Sequence, residues 1–190
     1  LVFLQKYTDL EKCQYTSVRI RELLRDRRVV GELEHLYEKK FYGLSTHMIW
    51  KKPDTKFSEQ AWRPHQDNSY SKNKNGLTLT INIFLDDVTK ENGCIYNYPG
   101  SHKEGLMEFE SHQGWNNENK PGNEVEVPSK YKKNDVLGNT GDMYIQHGNL
   151  IHGSYPNKSK GMRGRYSSTY IEQGEDFESV YNSRRKEIGL

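Results

Sequence analysis

Cysteine is nearly absent. The two present in 190 residues, Cys13 and Cys94, lie far apart and form no CxxC pair. That excludes a disulfide scaffold and fits a reducing compartment, so the expected localisation is cytoplasmic. Long apolar runs are missing too: no stretch approaches the roughly 20 residues that span a bilayer, and no signal peptide is visible, so no membrane partner is expected. Net charge is also scarce, at +2. Lys and Arg alternate with acids, as in Arg21-Glu22 and Glu38-Lys39, which describes a solvated face and gives no reason to invoke nucleic acid. Leu, Ile, Val and Phe make up only about a fifth of the chain, near the composition of disordered proteins. Two features oppose disorder: the small net charge, and 13 Tyr, 6 Phe and 3 Trp, which carry large buried area. A mean hydropathy of −1.01 then describes a globular domain with long polar loops. One domain over residues 1–190 is expected. Leu1-Val2-Phe3 is not a natural initiation, so the N-terminal part is expected to be incomplete.

What is present divides by hydrophobic period. From Ser17 to Lys40, apolar residues (Val18, Leu23 or Leu24, Val29 or Val30, Leu33, Leu36, Tyr37) recur at three- and four-residue steps, the pattern of a helix packed on one face. Asp26 is a candidate N-cap inside that stretch, so it reads either as one bent helix or as two short ones. His35 lies there among acids and is expected on the surface. Phe41 to Lys52 alternates instead, with Leu44, Thr46, Met48 and Trp50 on one face and Ser45, His47, Ile49 and Lys51 on the other. Leu77 to Leu85 is the clearest strand. Its odd-numbered residues form an apolar face, and Thr78, Thr80 and Asn82 form a polar one. The polar face meets water in a half-exposed sheet, or lines a pocket in a barrel-like double sheet.

Shorter strands are expected at Cys94–Tyr98, Glu124–Pro128, Met143–His147 and His152–Ser154, with a last one over Arg163–Ile171. The segment from Gly105 to Asn123 reads as irregular, with its part from Glu110 onward expected to act as a lid. The tail from Glu172 is expected to be peripheral. Many short strands between Gly, Pro and Asn turns, with helices only at the front, indicate an antiparallel β-sandwich or jelly roll.

The residues with the strongest chemical content are His65 and Asp67, in Trp62-Arg63-Pro64-His65-Gln66-Asp67-Asn68. On an extended strand, a histidine and a carboxylate one residue apart project from the same side. Two imidazoles and one carboxylate on one face of a metal leave positions open, which is the facial triad of non-haem Fe(II) oxygenases. His147 and His152 are both candidates for the second imidazole. Arg163 and Arg165 both qualify, by parity on the last strand, to grip the carboxylate of a 2-oxoglutarate cosubstrate with a fork of donors.

The chain resembles the phytanoyl-CoA dioxygenase family of Fe(II)- and 2-oxoglutarate-dependent oxygenases, from about Val18 to Tyr170. The resemblance rests on His65-Gln66-Asp67, Glu91-Asn92-Gly93-Cys94, Pro99-Gly100-Ser101-His102, Gly141-Asp142, and His152-Gly153-Ser154 with Asn157, Ser159 and Arg163. It implies a mainly β, double-stranded β-helix (jelly-roll, cupin-like) core with N-terminal helices packed outside. By matching position it implies His65, Asp67 and His152 as ligands of iron, Fe(II), and Arg163 as partner of the distal carboxylate of 2-oxoglutarate. His147 is then demoted and Arg165 becomes secondary. Asn82, Ser154, His47 and Lys51 are further cosubstrate contacts on this basis. Tyr70, Thr80, Arg63 and Trp115 are candidate substrate contacts. His102 is expected to be structural, and Cys94 a small buried residue.

The activity implied is hydroxylation of a small organic molecule using O2, with release of succinate and CO2. Two other readings use the same barrel. One is a cupin-like metal-dependent hydrolase or isomerase, which would work without O2 and leave Arg163 idle. The other is a binding module that has lost turnover. The basic residues His47, Lys51 and Arg63 lean towards a polar or anionic substrate.

Overall fold

A computed structural model describes residues 9–11, 13–53, 61–74, 77–112 and 122–175. Strand β1 (Asp9–Glu11) leads into a short helix α1 (Cys13–Thr16), then α2 (Val18–Leu24) and α3 (Arg27–Tyr37). The helical stretch is therefore two helices, and the break has a local cause. The Ser17 hydroxyl accepts the Ile20 N–H at the start of α2, and the Asp26 carboxylate accepts the Arg28 N–H (2.9 Å) at the start of α3. Each cap satisfies a backbone donor that a helix start leaves open. His35 is exposed, as expected.

The rest is mainly β. Strands β2 (Phe41–Lys51) and β3 (Trp62–His65) precede the one-turn helix α4 (Asn68–Ser71). Then come β4 (Thr78–Phe84), β5 (Ile95–Asn97), a 3-10 turn at Ser101–Glu104, β6 (Glu110–His112), β7 (Gly122–Glu124), β8 (Asn134–Val136), β9 (Met143–His147), β10 (His152–Ser154) and β11 (Arg163–Glu172). They form two antiparallel sheets, in the orders β1-β2-β11-β4-β9 and β6-β7-β3-β10-β5-β8. From β2 to β5 and again from β8 to β11, successive strands alternate between the sheets, which is the winding of a double-stranded β-helix, or jelly roll. Four short strands, β1, β6, β7 and β8, fall where no strand was expected. The strand placed at Glu124–Pro128 is displaced, because β7 ends at Glu124. These pieces are three residues long and carry no alternation to read.

The two faces of β4 decide the architecture. Leu79 and Ile81 are fully buried and pack outward with Leu24, Val29, Val30, Leu33 and Tyr170. Each such side chain contributes about 1.5–3 kcal/mol on burial. The helices thus cover the outer face of the five-stranded sheet. Gly43 permits this approach, since a Cβ there would lie 2.5 Å from Leu24 Cγ. The polar face, with Thr78, Thr80 and Asn82, turns inward and is itself buried. Of the two roles open to that face, lining a polar interior is the one observed. Register carries the same face across the sheet: Thr80 pairs Thr169 and Gln146, Asn82 pairs Ser167 and Tyr144, and Ser167 pairs His47. No helix among the described residues is long and apolar enough to cross a membrane, and Cys13 and Cys94 are both buried and form no disulfide.

Candidate metal centre

His65 is the last residue of β3 and His152 the first of β10. The antiparallel register sets them directly opposite each other, with ring centroids 4.2 Å apart. Opposed residues in a ladder have neighbouring Cβ atoms, so the sheet itself brings the rings together. Each ring is then turned by the backbone two residues before it. His65 Nδ1 donates to the Arg63 carbonyl (2.8 Å) and His152 Nδ1 to the Leu150 carbonyl (3.0 Å). These bonds assign the protons to Nδ1 and leave both Nε2 lone pairs available to a cation.

Asp67 arrives differently from the simple alternation expected of His65-Gln66-Asp67. The strand stops at His65, and Asp67 sits in helical geometry (φ −60°, ψ −31°) at the N-cap of α4. The chain turns because Asn68 N–H is bonded to the Gly148 carbonyl and Ser69 N–H to the Gln66 carbonyl. Gln66 points away from the rings, as expected. Its amide bonds the carbonyls of Gly105 and Asn149 and accepts the Met107 N–H. The turn delivers Asp67 Oδ1 to 3.6 Å from His65 Nε2 and 3.5 Å from His152 Nε2. Two ligands about 2.1 Å from a shared ion, at right angles, stand about 3 Å apart, so this donor set fits one cation with little adjustment. The three residues are the one cluster of ligating groups found among the described residues.

The second carboxylate oxygen is held from the other sheet. Asp67 Oδ2 accepts Thr80 Oγ1–H (2.7 Å) and Gln146 Nε2–H (3.0 Å). Burial pushes the Asp67 carboxyl up, but the charges of His152 and His65 and the bonds from His65 and Thr80 outweigh it and hold it well below the usual carboxylate range. Burial, then the neighbouring His65, pushes His152 down to about 4. An anionic Asp67 beside a neutral His152 suits a divalent cation.

Arg163, Arg165 and Ser167 follow one another along the inward face of β11, opposite Lys51, Ile49 and His47 on β2. Arg163 is 1% exposed. One guanidinium nitrogen donates to the Gly93 carbonyl (2.9 Å), while its buried Nε has no partner. Burial and then the Arg165 charge push it down to about 9, which still leaves it a cation at neutral pH. Lys51, equally buried, donates to Ser154 Oγ (2.7 Å) and the Tyr155 carbonyl. Asn82 is buried, accepts a bond from Arg165 (2.9 Å), and has an unpartnered Nδ2. Unpaired buried donors are costly and rare, so a group of them on one inner face fits an anion placed between them. Arg163, Lys51, Ser154 and Asn82 therefore suit a dicarboxylate reaching in from the metal.

The remaining expected contacts divide. Tyr70 stands edge-on to His65, with centroids 6.4 Å apart. Thr80, expected to face substrate, is bonded to Asp67. Arg63 forms an ion pair with Glu124. Trp115 and residues 113–121, the greater part of the expected lid, lie outside the described residues. His147 points away from the cluster and stacks near His102, with centroids 5.3 Å apart. Gln146 was missed from sequence. The one available signal was parity, because the residue beside an outward His147 must face in.

The chain also has relatives among known proteins. The family model described as Phytanoyl-CoA dioxygenase (PhyH) matches residues 4–165. A phytanoyl-CoA dioxygenase of Arabidopsis thaliana is 31% identical over 149 residues, covering 72% of this chain and 50% of its own. An L-proline trans-4-hydroxylase of Streptomyces griseoviridis is 30% identical over 128 residues, covering 58% and 48%. The chain spans about half, or less, of the length of the curated relatives it matches. In fold it is similar to the epimerase SnoN, solved in complex with Fe3+, alpha ketoglutarate and nogalamycin RO, with a TM-score of 0.74 at 21% identity over 90% of this chain and 66% of that one.

Proposed function

From the membership of this chain in the phytanoyl-CoA dioxygenase family, we propose that it is an Fe(II)- and 2-oxoglutarate-dependent oxygenase acting on a small organic substrate. The observation that carries this reading is the convergence of His65, Asp67 and His152 with a buried Arg163 on the same interior. Bound there, iron with 2-oxoglutarate and O2 supplies decarboxylation of the cosubstrate to succinate and CO2, coupled to hydroxylation of the substrate.

The residues of the chain have separable roles in this reading. His65 and His152 offer Nε2, and Asp67 offers Oδ1. Thr80 and Gln146 hold Asp67 Oδ2, so the carboxylate presents one oxygen to the ion and cannot swing. Three ligands leave the remaining positions of the ion to cosubstrate and O2. Arg163, with Lys51 and Ser154 beside it, binds the distal carboxylate through charge-assisted bonds. Thr78, Thr80, Asn82 and Ser154 around them are buried, and the low local dielectric strengthens each of these interactions. His47 lies on the same inner face as Lys51, two rungs along β2, and lines the cosubstrate path. Relatives named for L-proline and for hypophosphite support a small polar substrate.

The test is succinate release from 2-oxoglutarate by purified protein with Fe(II) and O2. The reading requires release that depends on all three components and is lost in His65→Ala and Asp67→Ala. No succinate release from the wild type with all three components present, or release that survives in both variants, would overturn it.

A further inference from the structure

Next to the metal ligands, the inward face of β9 is polar and uncharged. Tyr144 and Gln146 stand two residues apart on it, in register with Asn82 and Thr80 of β4, so both side chains turn into the space between the sheets. Chemistry fixes the orientation of the Gln146 amide. A carboxylate only accepts, so the atom 3.0 Å from Asp67 Oδ2 is the amide nitrogen, and the carbonyl oxygen is the opposite end. The same nitrogen lies 3.0 Å from Nε2 and 3.2 Å from Nδ1 of His152. An atom nearly equidistant from both nitrogens of one ring stands over its face, because in the ring plane it would strike ring carbon. The amide is thus held between Asp67 and the His152 ring. Its Oε1 is buried and has no hydrogen-bond partner among the described residues. Such acceptors are costly and rare in folded proteins.

Tyr144 supplies the complement. Its Oη accepts the Nδ2–H of Asn97 (2.7 Å), the residue of β5 paired with His152, and the Asp67 charge acts on it. A phenol that accepts one bond keeps its own proton to donate. Tyr144 is half-buried where Gln146 is enclosed, so the pair opens on the Tyr144 side. An acceptor and a donor therefore stand side by side near the metal ligands. Fe(II), the 2-oxoglutarate dianion and O2 all lack a hydrogen-bond donor, so none of them can serve Gln146 Oε1. Building on the oxygenase reading above, we propose that Gln146 and Tyr144 recognise the primary substrate through a neutral group that both donates and accepts, a hydroxyl or an amide N–H with its carbonyl. Gln146 Oε1 accepts from that group and Tyr144 Oη donates to it, which makes both specificity-determining residues. A site built around a hydrogen bond rejects the analogue that lacks it, because its own buried group is then left unpaired.

The experiment is calorimetric and needs no turnover. Protein loaded with saturating Mn(II) and N-oxalylglycine, a non-reacting 2-oxoglutarate analogue, is titrated with 2-pyrrolidinone, cyclopentanol and their N- and O-methyl derivatives. Methylation keeps the acceptor of each probe and removes its donor. The series is repeated in Gln146→Met, which keeps the volume and loses the acceptor, and in Tyr144→Phe, which keeps the ring and loses the donor. The proposal expects at least one probe to bind the wild type tenfold or more tightly than its methylated partner. That ratio should fall to about one in Gln146→Met. It should persist in Tyr144→Phe, with both members of the pair weakened at least threefold. N-oxalylglycine affinity at saturating Mn(II) should change less than threefold in either variant; a larger loss would overturn the proposal by placing the residue in the cosubstrate site. A ratio that survives in Gln146→Met would overturn it by making the preference steric. Probes that bind the wild type no better than their methylated partners, or do not bind at all, would also overturn it; equal binding is the result expected if a metal-bound water serves Oε1. Failure of the wild type to bind Mn(II) and N-oxalylglycine would instead sink the oxygenase reading.

Discussion

His65 and His152 are one rung of the β3–β10 ladder, with ring centroids 4.2 Å apart. Two ligands of the centre are therefore set by strand register, and anything that slides β10 on β3 separates them. Gly153 follows His152 directly. A Cβ there would collide with the Tyr96 hydroxyl and lie 2.6 Å from the Trp62 carbonyl. Gly153→Ala is expected to cost about 1–3 kcal/mol in urea denaturation, the usual scale of overpacking. It should also weaken Mn(II) binding, which calorimetry reads directly.

Gln146 holds Asp67 from the opposite sheet and touches His152 Nε2 (3.0 Å). Groups that orient metal ligands usually matter about 10–100-fold in metal affinity. Gln146→Leu should lower Mn(II) affinity by that amount while leaving the melting curve of the metal-free protein nearly unchanged. An unaltered affinity would show that Thr80 alone orients the carboxylate.

Arg163 and Lys51 are buried cations, and the distal carboxylate of 2-oxoglutarate is the anion proposed to lie against them. Arg163→Met removes charge-assisted bonds worth about 1.5–3 kcal/mol each, so 2-oxoglutarate affinity should fall at least tenfold. Replacing an enclosed charge by a similar apolar volume is often neutral or stabilising without ligand. The ligand-free variant should therefore melt no lower than wild type, and the stabilisation that 2-oxoglutarate gives the wild type should disappear.

His147 predicts a pH dependence of stability. Burial, then the neighbouring His102, pushes it down to about 4, against 6.5 in an unfolded chain. Between those values the unfolded chain binds the extra proton, so stability is complete above about 6.5 and declines as the pH falls towards about 4. Its Nδ1 accepts the Asn149 N–H (3.0 Å), and Asn149 in turn bonds Gln66 and Asn68 on either side of Asp67. Urea midpoints measured at about pH 7 and about pH 5 should converge in His147→Gln relative to wild type.

Much of this could be read from the sequence, where a periodic signal was long enough. The alternation of β4 separated its apolar face from its polar one, and Asp26 was readable as a cap, although one bent helix and two short ones both stayed open. The triad residues were also legible, but the reason they meet was not. Asp67 reaches the histidines by leaving the strand, a turn fixed by Gly148, about eighty residues away in sequence. Gln146 carries no motif and gains a role only from its register with Thr80. Arg163 and Arg165 share parity, so their difference in burial belongs to the tertiary fold. Strands β6, β7 and β8 are too short to show a period.

The central claim is a single cation site built from His65, Asp67 and His152, and direct titration of Mn(II) into the purified protein tests it most closely. Free Mn(II) is followed by electron paramagnetic resonance, with and without 2-oxoglutarate. The account predicts one ion per chain, bound more tightly when 2-oxoglutarate is present, and a loss of at least about 100-fold in Asp67→Ala, where a ligand and its charge are both removed. A wild-type protein that takes up no Mn(II), or an Asp67→Ala variant that binds it as wild type does, would contradict it.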